Sequence, residues 1–403
     1  MKNKDRNLKR NYFLVFIIIA ASGIPFFSGI DFIEISLFLF SLILFIYNKE
    51  NKDSNAFLII GLFFLIELFQ HFLHGSYSYR TSVGTAIKLA TVYFVVKLVK
   101  YNFINYYINI LYFFTVISLI FYTLSFLPGF TDLMIGQIAP LFESPFVDPN
   151  AFYEQSPSII VFTFELSLLT EFRNSGPFWE PGAFAVFLIF AILFNIIKTK
   201  SLIDKKNKFF IVALITTFST AGYIAFFILV SGYYLMNKKV SHKLLLILFV
   251  FASISIYTTT SFLEEKVKHN ISLADETTSS RFGSALADYN LFKQSPLFGW
   301  GRGPMRYGGQ KIIFFGKDQH RNNGVFVQLA TYGILGSLLY FYLFYKSIFR
   351  INKYYNFIKG YSFVFFATIM TLGFSQSLFS KPFFLCFLFL FLAMKPMDKK
   401  ILV

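Results

Sequence analysis

The chain predicts an all-α polytopic integral membrane protein, and three observations carry that expectation. Of its 403 residues 56% are hydrophobic, 14% are charged and the mean hydropathy is +0.59, whereas a soluble domain carries about 25% charged residues. The apolar residues fall in long runs, and the basic residues sit in short clusters between those runs. A spanning helix needs roughly 20 mostly apolar residues. By that rule spans are expected near 12–29, 31–47, 56–73, 84–100, 104–127, 181–198, 208–220, 221–236, 243–262, 324–346, 357–376 and 379–395, about 12 transmembrane helices in all.

Each element has its own justification. Met1–Arg10 is basic and runs into apolar sequence without a small-residue cleavage site, so the first span is expected to be retained. The first five spans close at 127, and a polar segment of mixed composition follows over 128–180. Inside it, 158–169 is apolar but too short to cross, which fits an interfacial or re-entrant piece. The run 208–236 is long for one span and short for two. The basic stretches Lys198–Lys208 and Lys238–Lys243 flank it, so an even number of crossings is needed. Two short helices with a tip at Ser219–Gly222 satisfy that need. The resulting organisation is helices over 1–127, an outer loop over 128–180, helices over 181–262, a second outer loop over 263–323, and final helices with a tail over 324–403.

Charge sets the orientation. About two-thirds of the 37 Lys and Arg residues fall at the termini and in alternate loops, which marks those segments as cytoplasmic. Most of the remainder lie in 263–323, and long loops count least in this rule. Both termini are therefore expected inside and both large loops outside. The net charge of +16 is a topology signal and not a nucleic-acid footprint. The single cysteine, Cys386, excludes a disulfide framework.

Charged residues within the slab are costly and normally paired. Glu34, Glu67 and Lys88 fall inside expected spans, and Glu67, His71 and His74 share one helix face. That face could form a proton relay or a metal site. The simpler arrangement is a Glu67–Lys88 ion pair with interfacial histidines, since a two-His, one-Glu set on one helix lacks outer-shell support.

Three stretches on the outer side carry chemistry. The first is Arg173-Asn-Ser-Gly-Pro-Phe-Trp-Glu180-Pro181-Gly182, where Pro181 suits the first turn of a helix and Glu180 falls beside its positive end. Glu180 could also be a plain N-cap. The second is Ser279-Ser280-Arg281-Phe282, followed by Leu286–Phe292 at helical spacing. The third is Ser295–Gly303, with Arg302 and Arg306, leading to His320-Arg321-Asn322-Asn323. Loops longer than about 12–15 residues are usually functional, and arginines suit phosphate recognition. Arg173, Arg281, Arg302, Arg306 and Arg321 on one face would fit an anionic, lipid-linked ligand.

The pattern Arg173…Gly176-x-Phe178-x-Glu180-Pro181-Gly182 resembles the signature of O-antigen and capsular polysaccharide polymerases. Ser280-Arg281, Pro296-Leu297-x-Gly299-x-Gly301 and Asn323…Gly333-Ile-Leu-Gly336 resemble the C-terminal part shared with O-antigen ligases. The resemblance implies a bacterial inner-membrane glycosyltransferase whose site faces the periplasm or the outside. It would join undecaprenyl-pyrophosphate-linked oligosaccharide units without metal or other cofactor. Its partners would be those lipid-linked donors and acceptors, the bilayer, a chain-length regulator and a flippase. Arginines would hold the pyrophosphate, here Arg173, Arg281, Arg302, Arg306 and Arg321, with Asn323 beside them. Where the family places His-Asn, this register has Asn322-Asn323, with His320 two residues earlier. Glu180 and His320 are thus the candidate catalytic groups. The alternatives are a ligase that hands polymer to lipid A-core and, from another class, a flippase or transporter. The sparse intramembrane charge and the two long outer loops weigh against the last.

Overall fold

The computed structural model describes residues 2–28, 31–75, 79–142, 156–164, 172–236, 281–302 and 322–394. Among the described residues the regular elements are helical, and the one β feature is an isolated antiparallel bridge, Ser158 to Thr163. The helices are α1 (Lys2–Gly23), α2 (Asp31–Tyr47), α3 (Ser54–His74), α4 (Tyr79–Val99), α5 (Phe103–Leu124) and the short α6 (Phe130–Leu133). They continue with α7 (Pro181–Thr199), α8 (Lys205–Thr216), α9 (Thr220–Met236), α10 (Arg281–Gln294), α11 (Gly324–Tyr354), α12 (Tyr361–Ser375), α13 (Pro382–Leu385) and α14 (Leu390–Ala393). Among the described residues four helical stretches are long and apolar enough to cross a membrane: Ser54–His74, Thr81–Leu124, Pro181–Thr199 and Gly324–Tyr354. Shorter apolar helices accompany them, including α9 and α12. Large apolar side chains such as Ile43, Leu58, Phe72, Leu338 and Phe363 stand exposed on these helices, as a lipid-facing surface requires.

The core is built around α7. Its apolar residues run all the way round the helix, so every face must be covered by protein or lipid. Protein covers it: nearly every residue from Ala183 to Ile197 is buried. Phe178 stacks on Phe187 with ring centroids 4.0 Å apart, and the Tyr107 hydroxyl donates to the Phe187 carbonyl at 2.9 Å.

Irregular backbone at membrane depth survives only inside protein or beside a water-filled cavity, where its polar groups can be satisfied. The last segment follows that rule. Between α13 and α14 a 3-10 turn (Cys386–Leu388) interrupts the helix, and the whole stretch Pro382–Leu390 is buried. Ser347 bridges the break by donating to the Phe387 carbonyl and accepting from the Phe391 N–H at 2.9 Å. The Ser22 hydroxyl accepts from the Phe383 N–H at 2.7 Å, and Tyr340 donates to the Phe379 carbonyl at 2.8 Å.

Several expectations meet particular outcomes here. The 208–236 run forms two helices, α8 and α9, with the tip at Thr217–Ser219, slightly ahead of the expected Ser219–Gly222. Gly222 lies within α9, where an added Cβ would press to 2.8 Å from the Ala185 side chain. The loop 128–180 opens helically through Phe142, and residues 156–164 are non-helical around the Ser158–Thr163 bridge. The rest of the 158–169 piece, the span expected over 243–262, and most of 263–323 lie outside the described residues.

The proposed Glu67–Lys88 ion pair is wrong. Lys88 pairs with Glu34 at 2.9 Å, while Glu67 accepts from the Tyr332 hydroxyl at 2.9 Å. The reason is tertiary: α4 packs against α2 as well as α3, and the buried face of α3 that carries Glu67 reaches α11.

Candidate active site

Glu180 is the N-cap of α7, with extended backbone and Pro181 in the first turn. Its side chain makes no capping bond. It accepts from the amide Nε2 of Gln376, the residue that ends α12 in extended conformation. Gly182 leaves the room for this contact, since a Cβ there would sit 2.7 Å from that Nε2 and 3.4 Å from Glu180 Oε1. The simple N-cap alternative therefore holds for the backbone and fails for the carboxylate.

Gln376 gathers a second helix end. An added Cβ on Gly324 would collide with the Gln376 carbonyl oxygen, so the start of α11 lies directly against this residue. Asn323 caps α11 by accepting from the Phe326 N–H at 3.1 Å. Among the described residues its Nδ2 is buried and has no hydrogen-bond partner. The Asn322 N–H donates to the Ser284 hydroxyl at 3.1 Å, tying α10 to the same place. Arg281, the first residue of α10, feels the charge of Glu180. Burial lowers its pKa from the usual 12.5 and the Glu180 carboxylate opposes that drop. Glu180, Gln376, Asn323 and Arg281 thus belong to one cluster, built from the ends of α7, α12, α11 and α10.

Arg173 faces elsewhere. Its Nε donates to the Thr217 carbonyl at 3.1 Å and its Nη2 to the Phe218 carbonyl at 3.3 Å, so it closes the C-terminal end of α8. The neighbouring Asn174 side chain binds Thr216 Oγ1 at 2.9 Å and accepts from the Gly176 N–H at 2.9 Å. This block anchors the entry to α7 on the α8–α9 turn.

Arg302 belongs to a third group. Its guanidinium lies 5.5 Å from the Tyr332 ring centroid, and the carboxylate in its electrostatic reach is Glu67 rather than Glu180. Burial lowers its pKa, but those neighbours push it up by more. The loop that carries it, Ser295–Arg302, packs against a break in α11. Gly333 adopts φ 62° and ψ −168° inside that helix, a conformation open to glycine alone. The break exposes backbone groups that the loop satisfies: Trp300 N–H to Ala330 O at 2.8 Å, Gly301 N–H to Thr331 O at 2.9 Å, and Ile334 N–H to Pro296 O at 2.8 Å. Gly299, at φ 73°, permits the approach, because a Cβ would lie 2.5 Å from the Gly333 nitrogen.

Helix α3 braces this loop through Gln70, which the sequence reading missed, and His74, which it placed among the interfacial histidines. Gln70 donates to the Thr331 carbonyl at 2.7 Å and to the Phe298 carbonyl. His74 meets the Gly299 carbonyl at 3.0 Å and stacks on Trp300 at 4.5 Å. The spacing Glu67, His71, His74 was legible as one polar face, but nothing local said what it would touch. Gln376 gave no signal at all, being one amide in an apolar run. His320, Arg306 and Arg321 lie outside the described residues.

Comparisons with known proteins fall on part of this arrangement. No curated protein and no solved structure matches the chain. A family model does match, over residues 209–341, and its description is O-antigen ligase. That stretch holds α9, α10, the glycine loop and the first half of α11, and it omits Glu180, Gln376 and α3. Over that third of its length the chain is similar to O-antigen ligases, and its helices include stretches long and apolar enough to cross a membrane.

Proposed function

We propose that this chain is a polysaccharide polymerase, joining undecaprenyl-pyrophosphate-linked oligosaccharide units at the outer face of the bacterial cytoplasmic membrane. The observation that carries the reading is the meeting of Glu180 with Gln376 at the head of α7, within electrostatic reach of Arg281. An acceptor hydroxyl attacks the anomeric carbon of the donor sugar, and its proton passes to a base. The bond from that carbon to the pyrophosphate oxygen breaks, and the lipid pyrophosphate leaves with the electron pair. The leaving group is already good, so the protein's task is positioning and charge stabilisation. Arg281 is assigned to the pyrophosphate, with the unpartnered Asn323 amide as a further donor. Glu180 and His320 are the candidate bases, a role worth about 10²–10⁴-fold. Arg306 and Arg321 are assigned to the same anion, while Arg302 belongs to the glycine loop and Arg173 to the α8–α9 turn.

The second reading is an O-antigen ligase, and the description of the matching family model favours it. Deletion of the gene in its host separates the two. Accumulation of single lipid-linked repeat units supports a polymerase, whereas accumulation of full-length polymer on the lipid carrier supports a ligase. Arg281→Ala and Glu180→Ala are expected to reproduce the deletion, and unchanged polysaccharide ladders for both would sink the site assignment. A chain-length regulator and a flippase are the expected partners.

A further inference from the structure

On the other side of Glu180 from Gln376 lies a cation without a counter-ion. Glu180 has extended backbone, so its neighbour Trp179 projects to the opposite side. There the Trp179 N–H donates to the Gly23 carbonyl at 3.2 Å, and the Lys381 ammonium sits 5.3 Å from the Trp179 ring centroid. Lys381 is half-buried. Among the described residues its ammonium makes no ion pair, although Lys88 and Glu34 are its charged neighbours. Glu34 is already committed to Lys88 at 2.9 Å. Among the described residues the cluster therefore carries two positive charges against one negative. A ring face attracts the ammonium without neutralising its charge.

The surroundings say what kind of anion would suit. Glu34 lies on α2, whose Phe32, Ile35 and Leu39 are exposed apolar side chains. A ligand reaching Lys381 from that side would present an acidic head to the lysine and a hydrocarbon tail to α2.

We propose that Lys381, held by Trp179 and flanked by Lys88, anchors a phosphate site for an amphiphile, separate from the Arg281 cluster. A phosphate oxygen would take up the free ammonium donors as charge-assisted hydrogen bonds. The phosphate could belong to an isoprenoid phosphate or to a phospholipid headgroup, which share this chemistry. The site rests on the unpaired charge and does not depend on the transfer reaction, so a chain inactive in polymerisation would still bind.

The test uses the full chain in phosphatidylcholine nanodiscs, with undecaprenyl phosphate as the probe and native mass spectrometry as the readout. Lys381→Met is expected to weaken probe binding by about tenfold or more, and Lys381→Arg to keep it within about threefold. Should Lys381→Met fail to fold, reductive methylation of Lys381 in the wild-type chain decides, since bound phosphate will slow it. Equal protection by phosphatidylglycerol assigns the site to headgroups, and protection by undecaprenyl phosphate alone assigns it to the isoprenoid phosphate. Methylation at one unchanged rate with both lipids overturns the proposal, as does wild-type binding by folded Lys381→Met.

Discussion

Gln376 donates its side-chain amide to the carboxylate of Glu180, joining the C-terminal end of α12 to the N-terminal end of α7. The two residues are 196 positions apart, and this bond decides where the carboxylate points. A hydrogen bond to a charged group contributes about 1.5–3 kcal/mol. Gln376→Leu is expected to lower polymer yield at least as far as Glu180→Gln, with protein level in the membrane preserved. Polysaccharide ladders beside quantitative blotting check it. Full activity in Gln376→Leu would show that Glu180 needs no help in aiming.

Arg173 is expected to behave as a structural residue in a conspicuous place. It donates to the carbonyls of Thr217 and Phe218 at the end of α8. Arg173→Ala strands those acceptors, and the cost is about 1–3 kcal/mol. Thermal unfolding in detergent should show the loss, and Arg173→Lys should recover part of it. If Arg173→Ala keeps wild-type stability while losing activity, the residue belongs to the ligand and not to the turn.

Hydropathy made the helices legible because membrane burial demands long apolar runs, and most expected spans coincide with observed helices from α1 to α12. The Gly299, Gly301 and Gly333 spacing was visible as part of a resemblance, but the packing of that loop on a break in α11 was not. Partner choice was not legible. Lys88 and Glu67 were matched because both are charged and lie one hairpin apart, yet α2 supplies Glu34 and α11 supplies Tyr332. Sequence spacing fixes which residues share a face, but not which neighbouring helix that face meets. Gln376 stayed hidden for the same reason.

The break in α11 gives a sharp test. At Gly333 an added Cβ would strike the Leu297 carbonyl, and φ is 62°. Steric collision and the ψ of −168° together exclude any other residue. Gly333→Ala is expected to cost more than about 3 kcal/mol and to abolish accumulation of folded protein. Gly61→Ala is the control: nothing lies within 4 Å of its added Cβ, and it sits inside α3. It should be neutral or stabilising by up to about 1 kcal/mol. Fluorescence-detected size exclusion separates the two outcomes.

Asp204 caps α8 by accepting from the Lys206 N–H at 3.1 Å, and the Asn195 amide donates to it at 2.9 Å. The Asn195 bond, the largest cause, holds its carboxyl below the usual 3.8 despite partial burial. A depressed carboxylate contributes stability that is complete above its unfolded pKa and disappears as pH falls through the folded value. The gap between wild type and Asp204→Ala should therefore be flat at about 1 kcal/mol from about pH 5 to 8, shrinking below about pH 4. Melting curves across that range measure it, and a gap that widens on acidification contradicts the cap.

The last relation concerns Arg302, which the sequence suggested as a pyrophosphate ligand and the structure places beside Glu67 and Tyr332. Glu67 is buried, and among the described residues its Oε2 has no hydrogen-bond partner. A buried carboxylate calls for a nearby positive charge. Arg302 supplies that charge across Tyr332. The two residues should then be energetically coupled. In a double-mutant cycle, Glu67→Gln and Arg302→Met are each expected to destabilise, while the double variant loses less than their sum. The coupling expected for contacting groups is about 0.5–3 kcal/mol. Tyr332→Phe, which removes the hydroxyl between them, should reduce it. Additive losses would mean that Arg302 is not spoken for by Glu67, and its guanidinium would then be available to the anion after all.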